Sequence, residues 1–86
     1  RNLVSGEFMA EKAIKEGTAK VVIVSEDASE NTKKHFRDMC NYRKIPVFFY
    51  ATKEELGKAI GREMRASLAV TDAGMAANII GHLEER

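Results

Sequence analysis

The chain has 86 residues, with 14 lysines and arginines against 13 acidic side chains for a formal net charge of +1; it can form one compact domain with a modest core, and not two. The near-neutral balance excludes a basic tail or a globally cationic coat for nucleic acid, while leaving room for a local basic face. The single cysteine, Cys40, cannot form an internal disulfide, which points to a reducing, cytoplasmic setting; no apolar run approaches the ~18 residues of a membrane span, and no charged-then-apolar leader opens the chain.

Leu3 and Val4 read as the end of a small strand. Ser5 follows as a helix N-cap, with Glu7 in the first turn. The helix runs to about residue 16, where Gly17 stands at the position of a C′ glycine. Residues 20–24, mostly β-branched and uninterrupted, read as a central strand. It ends abruptly in Ser25, Glu26 and Asp27, and Ser29 or Asn31 opens a second helix with Phe36, Met39, Cys40 and Arg43 along one face. Pro46 stops that helix, and residues 47–50 read as the next strand. A short helix spans about residues 53–60 and is closed by Gly61. Residues 67–70 form another strand, ending in Thr71 and Asp72, and Gly74 starts a last helix that buries Met75, Ile79, Ile80 and Leu83. The order β-α-β-α-β-α-β-α predicts an α/β/α sandwich, with helices on both faces of a small, largely parallel or mixed sheet. No internal repeat, linker or low-complexity stretch divides it, so residues 1–86 are expected to form a single domain.

The first helix has an unusual outer face. On a 3.6-residue wheel Ala10, Ala13 and Ile14 form the core side, whereas Phe8, Lys12 and Lys15 gather opposite, flanked by Met9. Phe8 either packs under a loop or a preceding segment, or stands exposed beside lysines to stack on an unpaired base. Such stacking is worth roughly 1–3 kcal/mol per base. In the second reading the helix N-terminus at Gly6 and Glu7 offers backbone N–H groups to phosphate or base edges, and the missing side chain of Gly6 lets the nucleic acid approach.

These residues resemble a known family. Gly6 followed six residues later by Lys12, then Ala13, Ile14 and Gly17, is similar to the RNA-contacting helix of the kink-turn-binding ribosomal proteins of the L-seven-Ae and L-thirty-e types. Val24-Ser25-Glu26-Asp27-Ala28 and Leu56-Gly57-Lys58-Ala59-Ile60-Gly61 resemble that family's two other signatures. Ser5-Gly6-Glu7 and the run from Glu26 through Asn31-Thr32 look most like its small bacterial, YlxQ-like members. The resemblance covers nearly the whole chain. It implies a three-layer sandwich that recognises an RNA duplex bent at tandem sheared G·A pairs, without catalysis and without cofactor or metal. Lys12 would contact bases or backbone, Lys53 would meet backbone, and the loop Arg62-Glu63-Met64-Arg65 would cradle a flipped-out nucleotide. Archaeal and eukaryotic members carry Asn-Glu at the second and third positions after the helix glycine, where this chain has Phe8 and Met9, so its RNA contact would rely more on shape and backbone. The family's usual first helix lies upstream of Arg1, and without it one sheet face would be less covered.

The implied RNA site is therefore Gly6, Glu7, Phe8, Met9, Lys12, Glu26, Lys53, Arg62, Met64 and Arg65. Each has a plainer reading. Lysines are usually solvated, Lys53-Glu54-Glu55 is an ordinary charged helix start, and Lys58 faces either solvent or RNA backbone. Glu26 and Asp27 can accept hydrogen bonds from bases, coordinate a cation, or cap the following helix. Lys33, Lys34 and Arg37 are explained by a solvated face. His35, His82 and Cys40 have no ligand spacing, and Cys40 falls on the core side of its helix. The expected partner is structured RNA, ribosomal or regulatory, with attachment to the ribosome in view. No DNA and no membrane are expected, and a monomer is the expectation for this fold and size.

Other classes fit less well. A phosphoryl receiver needs an aspartate at the end of the strand after Glu26-Asp27 and a lysine at the end of the one after that, but those strands end in Ala51-Thr52 and Thr71-Asp72. A phosphate-binding loop around Gly57-Lys58 would need a glycine five residues earlier, where Thr52 stands, and a Ser or Thr after the lysine. A protein-interaction module that kept the fold and lost specific RNA recognition is the alternative, favoured by Phe8 and Met9.

Overall fold

The computed structural model describes residues 2–84; Arg1, Glu85 and Arg86 of the expected domain lie outside the described residues. The elements in chain order are β1 (Leu3–Ser5), α1 (Glu7–Glu16), β2 (Val21–Val24), α2 (Glu30–Arg43), β3 (Val47–Phe49), α3 (Lys53–Ala59), β4 (Ser67–Val70) and α4 (Ala73–Glu84). The strands form one sheet in the order β1-β4-β2-β3.

That sheet is mixed, and the largely parallel version of the expectation is corrected. Only β2 and β3 run parallel, with Val22 opposite Val47; β4 lies antiparallel to both β2 and β1. The reason lies in the short third helix. Seven residues of α3 advance the chain only about 10 Å, and the loop after it doubles back until the Arg65 N–H bonds the Lys53 carbonyl at 3.1 Å. β4 thus starts at the edge where β3 ended and must run the other way. Alternation of β-branched and apolar residues cannot reveal this, because a fully buried strand has the same side-chain pattern in either direction.

The two faces of the sheet separate by the period-two rule. Val22, Val24 and Ala69, with Val4, Val47 and Phe49 partly buried, meet Ala10, Ala13 and Ile14 of α1 and Phe36 and Cys40 of α2. Val21 and Val70 meet Ala76 of α4, while Ile23 and Leu68 meet Leu56 of α3. β2 and β4 are buried at all four positions, as central strands are. The second face also carries an open apolar groove of about 600 Å³ between α3 and α4, lined by Leu3, Ile23, Tyr50, Leu56, Ile79 and Leu83 among others.

Helix ends follow local chemistry, with two departures from expectation. Ser5 does not cap α1: it is the last residue of β1, and the N-cap is Gly6, which has no side chain to accept a bond. α4 begins at Ala73 rather than Gly74, because Asp72 Oδ2 accepts the Met75 N–H at 2.8 Å. Ser29, not Asn31, caps α2 by accepting the Thr32 N–H. Gly17 ends α1 in the left-handed region at φ 78°, as the C′ glycine reading requires. Thr52 and Glu55 form a reciprocal capping box on α3.

Candidate nucleic-acid interface

Because β1, β2 and β3 all end where β4 begins, the loops that carry the three sequence signatures converge on one edge of the sheet. A continuous set of backbone bonds ties them together. The Gly6 N–H donates to Ser67 O at 3.0 Å, Ser25 N–H to Ala66 O at 2.8 Å, and Glu26 N–H to Ala51 O at 2.8 Å. The loop residue Arg65 then closes back onto Lys53. The N-termini of α1, α2 and α3 all lie along this edge.

Gly6 serves this edge through its backbone. Its φ of 91° and ψ of 154° fall in a region essentially reserved for glycine, and a Cβ there would meet nothing within 4 Å. Backbone conformation, not crowding, dictates the residue. Its own N–H is spent on Ser67, so the N–H groups offered by the uncapped end of α1 are those that follow it. Beyond it, Phe8 is 75% exposed and Met9 41%, so no loop among the described residues covers Phe8. Glu7 and Lys12 are exposed on the same helix.

The loop after α3 is held close by Gly57. A Cβ on that residue would lie 1.9 Å from the Glu63 carbonyl oxygen, and the Arg62 N–H donates to Gly57 O at 2.8 Å. Arg65 is pinned by its side chain: Nε donates to Ser5 Oγ at 3.3 Å and Nη1 to the Met64 carbonyl at 3.0 Å. That fixes the plane of the guanidinium and leaves donors facing outward. A groove of about 540 Å³ brings Arg62 and Arg65 together with Met9, Ser5 and Ile60. Met9 also lines a smaller recess with Lys12, so it links α1 to the arginine loop. Lys58 shares a neighbouring groove with Arg62 and the 61%-exposed Met64.

The acidic strand end behaves differently from its sequence reading. Glu26 is exposed and lines a recess with Tyr50, Ala51 and Glu55 that is separate from the arginine groove. Asp27 Oδ1 accepts the Lys53 N–H at 3.0 Å, so it caps α3, a helix distant in sequence, rather than the helix that follows it. Desolvation opposes ionisation of Asp27, but the bond from the Lys53 N–H, with the Lys53 charge beside it, outweighs it and holds the carboxyl below the usual aspartate range. Lys53 is half-buried at the first position of α3 with its backbone committed to Asp27 and Arg65; its ammonium forms no ion pair among the described residues. Sequence reasoning missed this long-range cap, the Thr52 capping box and the left-handed Ala51 at φ 66°. The capping box had a local signal, Thr52 three residues before Glu55.

Charge is distributed to leave this edge receptive. The ion pairs among the described residues all lie on α1 and α2: Lys15–Glu11, Lys33–Glu30, Lys34–Asp38 and His35–Glu11. Lys12, Lys53, Lys58, Arg62 and Arg65 are in none of these pairs, which leaves five cations to neutralise phosphate. Cys40 is fully buried, and desolvation pushes its thiol up to about 11. Among the described residues no three His, Cys, Asp or Glu side chains approach one another closely enough to hold a metal ion, and no helix is long and apolar enough to cross a membrane.

Comparison with known proteins places this edge in context. A sequence model of the ribosomal protein L7Ae/L30e/S12e/Gadd45 family matches residues 1–80. The chain is 44% identical over 84 residues to the RNA-binding protein YlxQ of Bacillus subtilis (strain 168), covering 98% of this chain and 84% of that protein. It is 33% identical over 76 residues to the large ribosomal subunit protein eL8 of Cenarchaeum symbiosum (strain A), covering 87% and 60%. Among solved structures, a Bacillus halodurans C protein of unknown function superposes with a TM-score of 0.90 at 37% identity, over 94% of this chain and 82% of that one. The Giardia lamblia 15.5kD RNA binding protein shares the fold, with a TM-score of 0.81 at 23% identity over 98% and 75%.

Proposed function

The chain belongs to the ribosomal protein L7Ae/L30e/S12e/Gadd45 family, and from that membership we propose that it is a non-catalytic RNA-binding protein whose target is a kink-turn in ribosomal or regulatory RNA. One observation carries the reading: Gly6 and Ser25 of the first two signature segments bond the adjacent residues Ser67 and Ala66, and α3, which carries the third, is joined to the same edge through the Lys53 N–H on Asp27 and the Arg65 N–H on Lys53, with five cations around them that form no ion pair among the described residues. Lys12 and Lys53 contact backbone phosphate. Arg62, Met64 and Arg65 receive a flipped-out nucleotide, with Met64 as the soft apolar surface and the pinned Arg65 as the fixed fork. Phe8 stacks on an unpaired base, Met9 joins that surface to the arginine groove, and Glu7 and Glu26 accept base amino groups at its margin. The protein acts as a cytoplasmic monomer that needs no cofactor and binds neither DNA nor membrane.

The test compares binding to a kink-turn RNA with binding to the same RNA after its G·A pairs are converted to Watson–Crick pairs. Tighter binding to the kinked form is expected, and equal affinity for the two would sink the specific reading. Lys12→Ala should weaken binding to every RNA, whereas Phe8→Ala should weaken the kinked one selectively. The exposure of Phe8 and Met9 favours a second reading, a protein-docking module of the same fold; failure to bind either RNA, even at low salt, would select it.

A further inference from the structure

The opposite edge of the sheet carries a second cationic cluster that the proposed RNA site does not use. α2 ends in Tyr42, Arg43 and Lys44, and all three are exposed. Tyr42 is 83% exposed, the most exposed of the large apolar side chains, and the Arg43 guanidinium lies 5.9 Å from its ring centroid, within the range of a cation–π contact. Lys44 holds the C-cap at φ 60°, a conformation that glycine or asparagine adopts more cheaply. Lys20 stands at the same end of the sheet: it immediately precedes β2, whose Val22 N–H donates to Pro46 O at 2.9 Å, two residues after Lys44. None of the three cations is in an ion pair among the described residues. Of the carboxylates nearby, Asp38 pairs with Lys34 and Asp72 accepts the Met75 N–H, which leaves the exposed Glu16 at the end of α1 as one negative charge against three positive ones.

We propose that this pole, formed by Tyr42, Arg43, Lys44 and Lys20, is a second RNA-contacting surface that takes single-stranded RNA flanking the kinked element, with Tyr42 and Arg43 stacking on a base and the lysines meeting phosphates. Helix-dipole complementarity accounts for cations at a helix C-terminus, but not for a solvated tyrosine beside them. A protein partner fits less well, since lysine is depleted at protein interfaces, whereas an aromatic ring with arginine and lysine is the working set of single-strand binders. The two poles stand at opposite ends of the strands in a molecule about 26 Å across, so they touch different stretches of one RNA. The proposal rests on the RNA-binding reading for its class of ligand, but not on kink-turn specificity.

The experiment measures binding of the wild type and of a Tyr42→Ala, Arg43→Gln, Lys44→Gly, Lys20→Gln variant to a kinked duplex, with and without a single-stranded extension. All four positions are exposed, and glycine suits the backbone at 44. For the wild type the extension should raise affinity about tenfold through stacking and steepen the log–log salt slope by about 1.4, at ~0.7 for the phosphate met by each of the two lysines. The variant should lose both gains and keep its affinity for the bare duplex. No gain from the extension, or an equal loss on both RNAs, overturns the proposal. Polyuridine alone separates this from the primary site: weaker binding of polyuridine by the variant supports the second surface even if the kinked duplex shows no preference, and unchanged binding counts against it.

Discussion

Gly57→Ala should destabilise the protein, although a glycine-to-alanine change inside a helix ordinarily stabilises. Gly57 lies within α3, where alanine would gain about 0.5–1 kcal/mol from backbone entropy and helix propensity. Its added Cβ, however, would sit 1.9 Å from the Glu63 carbonyl oxygen and 2.6 Å from the carbonyl carbon. Even a close carbon–oxygen contact lies near 3.3 Å, so the loop backbone must retreat by about 1.4 Å. Backbone cannot rotate away as a side chain can. The cost therefore belongs at the top of the overpacking range, about 3 kcal/mol, for a net loss of about 2 kcal/mol. In a domain of this size that lowers Tm by roughly 8–16 °C. Gly81→Ala is the matched control: it too lies in a helix, α4, with an ordinary φ and nothing within 4 Å of an added methyl, and it should gain about 0.5–1 kcal/mol. Urea or thermal denaturation of the pair should show opposite signs. If Gly57→Ala is neutral or stabilising, the close seating of the arginine loop on α3 is wrong. Because that loop carries Arg62 and Arg65, the same variant should lose RNA affinity while Gly81→Ala keeps it.

Lys44→Gly should raise stability by about 0.5–1 kcal/mol, the relief of a left-handed non-glycine residue less the added unfolded-chain entropy; a urea midpoint at or below wild type would contradict it. The His35 hydrogen bond, aided by Lys15, holds the Glu11 carboxyl below its ordinary value of 4.5. Its contribution is therefore present above the unfolded value and is lost as pH falls through the folded one. Glu11→Gln should accordingly cost stability near neutral pH and progressively less as pH falls below the ordinary carboxylate value, whereas a cost that does not change with pH would remove the pair from the acid limb. Cys40, buried with its thiol pushed up to about 11, should react with a disulfide reagent on the order of a thousandfold more slowly in the native protein than in urea, and reaction at the rate of a free thiol would show that the α2 core opens.

Much of this protein follows from local sequence alone. The core stripe Ala10, Ala13 and Ile14, the burial of Val21–Val24 and Ser67–Val70, the stop at Gly17 and the break at Pro46 are each set by side-chain periodicity or by a residue's own backbone preference, and these act over a few neighbours. The outward face of Phe8 was legible for the same reason. Strand direction was not, because it depends on where the loop after α3 lands, and that is decided by the seating of Glu63 on Gly57 and of Arg65 on Lys53. The roles of Asp27 and Ser5 were likewise out of reach. Asp27 bonds a residue 26 positions away and Ser5 one 60 positions away, and no pattern within a helix turn or strand repeat encodes a partner at that range. Local chemistry chose the elements, and tertiary packing chose which of their ends meet, which is what turns three separated signatures into one surface.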